Sequence, residues 1–148
     1  MTSTLGQMMD QTLKEGIQRA AAREPFAREL GIALVHLDLG HSIVKMTYTP
    51  ETMDNIYKKT HGGALFALID EAFETAAQTH GTIAVALNVN VTYISTAEAG
   101  DELTAEAKEI VSTRKTATYD IKITTKTGKL IATCQALAYN TGKPVPFI

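Results

Sequence analysis

The chain has 148 residues, which fits one domain with a core of its own and leaves little room for a second. Hydrophobic residues make up 45% and charged residues 20%, the balance of an ordinary globular protein, and a formal net charge of −2 gives no basic footprint for nucleic acid. No apolar run approaches the ~20 residues that span a bilayer. Cys134 is the only cysteine, so an intrachain disulfide and a multi-cysteine metal site are both excluded.

Residues 1–16 lack a basic n-region and an unbroken apolar h-region, so the expected location is the cytoplasm. Leu5, Met9, Leu13, Ile17 and Ala21 recur every fourth residue, an amphipathic helical stripe expected to dock on the body of the protein or on a sister subunit. Pro25 ends this pattern and a short turn through Leu30 is expected. Residues 32–39 and 42–49 read as strands joined at Gly40-His41, and residues 50–59 as an irregular loop. A long helix is expected over residues 61–80, with Gly81 placed to stop it. The rest reads as strand. In residues 82–94, Val85, Leu87, Val89, Val91 and Tyr93 alternate with Ala86, Asn88, Asn90 and Thr92, which sets Ala86, Asn88 and Asn90 on one face. Residues 103–111, 116–124 and 130–139 follow, with turns at Gly100-Asp101 and residues 126–129. In the second of these runs Ala117, Tyr119, Ile121 and Ile123 share a face. Cys134 is expected to be a buried small hydrophobe.

The central helix is apolar nearly all round, through Ala64, Leu65, Phe66, Ala67, Leu68, Ile69, Ala72, Phe73, Ala76 and Ala77, and such a helix is enclosed. One enclosed helix with one antiparallel meander gives an α+β fold in which the sheet curls around the helix. A flat α+β sandwich uses the same elements.

Two acids interrupt this helix. Asp70 shares its face with Phe66, Ala67 and Phe73, whereas Glu71 falls with Leu68, Glu74 and Thr75, a more polar set. Asp70 is therefore expected to be a partly desolvated carboxylate with a raised pKa, suited to base or nucleophile work. His61-Gly62-Gly63 opens the same helix, where outward-pointing N–H groups can hold a carbonyl oxygen gaining negative charge. His36, His41 and His80 are read as structural.

The segment from Asn55 through His61-Gly62-Gly63 to Asp70, with Asn six residues before the His and the acid nine after it, resembles the signature of the PaaI-type hotdog thioesterases. The resemblance covers about residues 24–139, so residues 1–24 form a helical extension and 25–148 the hotdog domain. It implies a homodimer with joined sheets, pairing further into a dimer of dimers, and an active site at the interface. There the Gly62 N–H would polarise the thioester carbonyl of an acyl-CoA, with Gly63 beside it and His61 shaping the turn. Asp70 would attack directly or activate a water, and Asn55 would orient the water or the carboxylate. Ala86 stands where relatives can carry a Ser or Thr, and Asn88 or Asn90 would be the substitutes. Ser95 and Thr96 would flank the pantetheine arm, and Arg114-Lys115 would lie near the CoA phosphates. No metal, cofactor, nucleic acid or membrane is implied. Tyr48, Tyr57, Phe66, Phe73 and Tyr93 are candidates to line a pocket for a small aryl or medium-chain acyl group. Two other functions fit the same elements: a hotdog enoyl-thioester hydratase, and a non-catalytic module that binds and senses acyl-CoA.

Overall fold

In the computed structural model, which describes residues 8–148, an amphipathic helix α1 (Gln11–Ala22) comes first, and its N-cap Asp10 accepts the Leu13 N–H at 2.9 Å. Leu5 lies outside the described residues; from Met9 on, the predicted stripe docks on the body of the chain. Leu13 and Ile17 are buried with Leu37 and Val145 in a small cluster of their own, flanked by Ile83 and Phe147. Pro25 then starts a second short helix, α2 (Pro25–Leu30), rather than a turn, because its fixed φ suits the first helical position.

Strands β1 (Ala33–Asp38) and β2 (His41–Thr47) form the expected hairpin. Part of the expected loop is helical: Pro50 again nucleates a single turn, α3 (Pro50–Met53). The long helix α4 (Gly62–Ala77) follows, extended by one 3-10 turn (Gln78–His80) that stops at Gly81 in the left-handed region, φ 86°. Strands β3 (Thr82–Tyr93), β4 (Glu102–Ser112), β5 (Thr116–Thr125) and β6 (Leu130–Pro144) complete a six-stranded antiparallel sheet in the order β1-β2-β4-β5-β6-β3.

The sheet curls around α4, the hotdog arrangement. Leu68, Ile69, Ala72 and Ala76 are fully buried on the helix, against Val44, Ala105, Ala107, Ile121 and Ile123 of the sheet. Alanines at facing positions let the helix lie close, and Phe73 meets Tyr119 edge-on, with ring centroids 5.5 Å apart. Buried polar groups are satisfied: the Ser42 and Thr75 hydroxyls pair at 2.6 Å, and Thr79 Oγ1 accepts the Gly40 N–H at 2.8 Å. Cys134 is buried and free, as expected. His41 pairs with Glu106 across β2 and β4, His80, in the 3-10 turn after α4, pairs with Glu109 of β4, and His36 packs against the His41 ring, so each of these histidines is in contact with the scaffold. Among the described residues no helix is long and apolar enough to cross a membrane.

The enclosure of α4 has one gap. Gly63, Phe66, Asp70 and Glu74 are exposed, and their spacing puts them on a single stripe along the helix. Strand β3 is likewise open: it pairs only with β6 and leaves its other edge, with Val85 and Leu87 exposed, unpaired by the described residues.

The alternation expected along β3 fails at one point. The register steps from Ala86↔Ala138 to Asn88↔Leu137, so Leu87 is an extra, bulged residue. Residues directly opposite in an antiparallel pair share a face. Ala86 therefore points with the buried Ala138 toward the helix, while Asn88 and Asn90 point outward with Leu137 and Gln135. The expectation that Asn88 and Asn90 share the face of Ala86 is thus corrected, because one inserted residue reverses the phase of the strand.

Candidate active site

The start of α4 is built by three short contacts. His61 sits at the N-cap in extended conformation, its N–H held by the Met53 carbonyl at 2.7 Å. Its Nδ1 accepts the Gly63 N–H at 2.8 Å, so this amide is consumed by the cap. The Gly62 N–H is then the first amide of the helix with no acceptor among the described residues. Tyr93, at the end of β3, lies over Gly62 and donates its hydroxyl to the Gly62 carbonyl at 3.2 Å. A Cβ at Gly62 would come within 3.2 Å of that ring, which explains the glycine. Ahead of the cap, Asn55 Oδ1 accepts the N–H groups of Tyr57 (2.9 Å) and Lys59 (3.1 Å), which folds the loop that delivers His61. The Asn55 oxygen is thereby used in the loop, and its amide nitrogen remains as the donor.

Asp70 lies on the open stripe of α4, in a cavity of about 330 Å³ lined by Phe73, Ala86, Glu24 and Glu74 among others. Solvent reaches it in the single chain, yet burial, and then the charge of Glu24, holds its carboxyl above the usual range with no hydrogen-bond donor to offset them. The direction is the expected one; the order of burial is not. Glu71 is only 5% exposed, far more enclosed than Asp70. It meets Glu24, from the start of α2, and Glu74, their carboxylate oxygens all lying within 4.8 Å of one another. Burial, then the neighbouring carboxylates, raises Glu71 and Glu74 well above the usual carboxylate range. Three such oxygens can share protons or hold a cation. Their grouping was invisible in the sequence because Glu24 is far from the other two along the chain.

The single chain does not bring its candidate residues into one place. Gly62 and Asp70 are separated by eight residues on a straight helix, about 12 Å along the axis at 1.5 Å per residue. That is too far for both to act on one carbonyl. Ser95 is tied to the start of β6, its hydroxyl donating to the Leu130 carbonyl at 2.6 Å. The Thr96 carbonyl accepts from Lys129 Nζ at 2.8 Å. Both belong to the Gly62 end, where the Ala97 N–H reaches Thr60. Arg114 and Lys115 occupy the exposed β4–β5 turn at the other end, where the Asn140 N–H donates to the Lys115 carbonyl. Ile131 and Asn140, the β6 residues beside these two groups, are nine apart, roughly 30 Å along a strand.

The thioesterase superfamily pattern matches residues 57–132 of the chain. The acyl-coenzyme A thioesterase PaaI of Escherichia coli is 34% identical over 116 residues, 78% of this chain and 82% of that protein. The human acyl-coenzyme A thioesterase 13 is 32% identical over 128 residues, 84% of this chain and 91% of that protein. The solved structure of E. coli PaaI, from the phenylacetic acid degradation operon, superposes with a TM-score of 0.86 over 92% of this chain and 98% of that one, at 29% identity. With its helix enclosed by the sheet, its His-Gly-Gly cap and its helix carboxylate, the chain belongs to the thioesterase superfamily as a PaaI-type hotdog thioesterase.

Proposed function

We propose that the protein hydrolyses the thioester of an acyl-CoA with a small aryl or medium-chain acyl group, in sites shared between two copies of the chain. One observation carries this reading: the unpaired Gly62 N–H stands at the start of α4, the Asp70 carboxylate lies about two turns further on along the helix's open stripe, and the exposed Phe66 of that stripe lies halfway between them. A two-fold axis passing near Phe66 sets each Gly62 opposite the other copy's Asp70. The open edge of β3 alongside gives the two sheets a place to join.

In such a site the Gly62 N–H polarises the thioester carbonyl and holds the oxygen as it gains charge. Asp70 serves as base toward a water or as nucleophile, and its raised pKa strengthens it for either role. The Asn55 amide nitrogen orients the water or the carboxylate, and Ala86 forms the wall beside Asp70 without supplying a hydroxyl. The same two-fold brings the Ser95–Thr96 end of one copy toward the Arg114–Lys115 end of the other, so one CoA can meet both. The relatives named as acyl-coenzyme A thioesterases support the substrate class. Pairing of dimers into a tetramer and residence in the cytoplasm belong to the same proposal.

The test is free-thiol release from a panel of CoA thioesters, combined with complementation. Asp70→Asn and Gly62→Pro, the latter removing one N–H and made together with Tyr93→Ala so that the added ring has room, should each abolish turnover, whereas Tyr93→Ala alone should retain it. Unfolded and refolded together, they should recover it, because mixed dimers hold one intact site. Two inactive variants that stay inactive when mixed would refute the shared site. Absence of thiol release from every member of the panel would refute the hydrolase reading.

A further inference from the structure

Helix α1 is held at one end and open at the other. Its first half is sealed: Leu13 and Ile17 are buried, and a Cβ on Gly16 would come within 2.9 Å of the Phe147 carbonyl of the C-terminal tail. Its second half is not: Ala20 and Ala21 are only half-buried. Beneath them lies a second cavity of about 470 Å³, bounded by Ile17, Ala20 and Ala21 on one side and Ile83 and Phe147 on the other. This cavity shares Glu24, Glu74, Gln78 and Ala84 with the one that holds Asp70. Gln78 is locked between the two, its amide bridging the Glu74 and Ala84 carbonyls while its oxygen accepts the Ala84 N–H. The two cavities thus adjoin at Gln78 and Ala84, one holding Asp70 and the other presenting an apolar wall under α1 with Arg23, Glu24 and Glu74 at its border. Two chambers in series suit length rather than breadth.

We propose that the chamber between α1 and the C-terminal tail receives the far end of a linear medium-chain acyl group whose thioester lies at Asp70, so that Ala20 and Ala21 set the chain length accepted. This assignment rests on the acyl-CoA thioesterase reading and adds to it the substrate class and the residues that select it. Glu24 and Glu74 border both spaces and Arg23 the second, so the alkyl chain would lie on the apolar wall made by Ile17, Ala20, Ala21, Ile83 and Phe147. The small side chains of Ala20 and Ala21 leave the chamber empty, as an apolar ligand requires.

The experiment compares kcat/KM for propionyl-, octanoyl- and phenylacetyl-CoA in the wild type and in Ala20→Leu and Ala21→Leu, with a thermal melt to confirm folding. The octanoyl-to-propionyl ratio should fall by about tenfold or more in either variant, the scale expected when methylenes lose their pocket. An unchanged ratio in both folded variants would overturn the proposal, and so would an equal fall for phenylacetyl-CoA, whose ring does not need the far chamber. Binding of the non-hydrolysable octyl- and propyl-CoA thioethers gives a readout independent of turnover. The wild type should hold the octyl compound about tenfold more tightly or better, and Ala20→Leu should erase that preference. Equal binding by the wild type would sink the chamber even if hydrolysis is fast. An octyl preference without any hydrolysis would keep the chamber and remove the enzyme reading instead.

Discussion

Helix α4 is sealed against the sheet along all but one stripe, whereas α1 is anchored through Leu13, Gly16 and Ile17 and then leaves Ala20 and Ala21 half covered. The first helix is packed for position: its alanines and the facing sheet alanines fix where Gly62 and Asp70 stand. The second is packed for attachment at one end and for space at the other. Stability and substrate accommodation are thereby assigned to different helices, and substitutions in the two should fail in different ways.

The largest effect expected is catalytic. Asp70→Asn should lower thiol release by about 1,000-fold or more while the melting temperature changes little, because this carboxylate lies on the open stripe and carries no packing. An active Asp70→Asn protein would show that the open stripe of α4 is not where the chemistry occurs. Next comes packing. Phe73→Ala, which empties the fully buried contact with Tyr119, should cost about 3–5 kcal/mol by urea unfolding. Ile17→Ala, in the smaller cluster under α1, should cost about 2 kcal/mol, near the low end for such truncations, because the site borders open space and can relax. Equal losses would dissolve the contrast between the helices.

Glu71 sharpens the comparison through pH. Its folded pKa is raised above the ordinary value of 4.5, chiefly by burial and then by the charges of Glu74 and Glu24. The native state therefore holds a proton that the unfolded chain has released, and stability falls as pH rises from the ordinary glutamate range toward the raised value. Above that value both states are ionised and the loss is complete. Glu71→Gln should flatten this slope and stabilise the protein by about 1–2 kcal/mol at pH 8, read from urea midpoints at several pH values. A destabilised Glu71→Gln protein would mean that the ionised carboxylate has a partner that the folded chain needs. The smallest effect is expected at Gly16. Gly16→Ala gains helix propensity of up to about 1 kcal/mol but must displace Phe147 and Ile148, so its melting temperature should barely move.

Much of this architecture was legible in the sequence. The apolar sweep from Ala64 to Ala77 announced an enclosed helix, and the strand runs with Gly-centred turns announced the meander, because burial and turn geometry leave local traces. His61, Gly62 and Asp70 stood out because glycines at a helix start and an acid in an apolar helix conflict with their surroundings. What remained hidden depended on contacts distant in sequence or on a single residue of register. Glu71 read as the more polar acid until α2 brought Glu24 over it. Asn88 and Asn90 read as neighbours of Ala86 because nothing in a run of alternating residues marks Leu87 as surplus. The stretches after Pro25 and Pro50, read as a turn and an irregular loop, each begin with a short helix, since the fixed φ of proline that ends one helix also suits the first position of the next.

The surplus residue at Leu87 works as a change of phase rather than as a strand position. It lets Ala86 on one side of it and Val89 on the other, three positions apart, both face the helix. Deleting Leu87 would therefore leave Ala86 opposite Ala138 and Asn88 opposite Leu137, and the wall beside Asp70 would keep its side chains while the strand lost only its local kink. Along this edge the residue can be spared where its neighbours cannot.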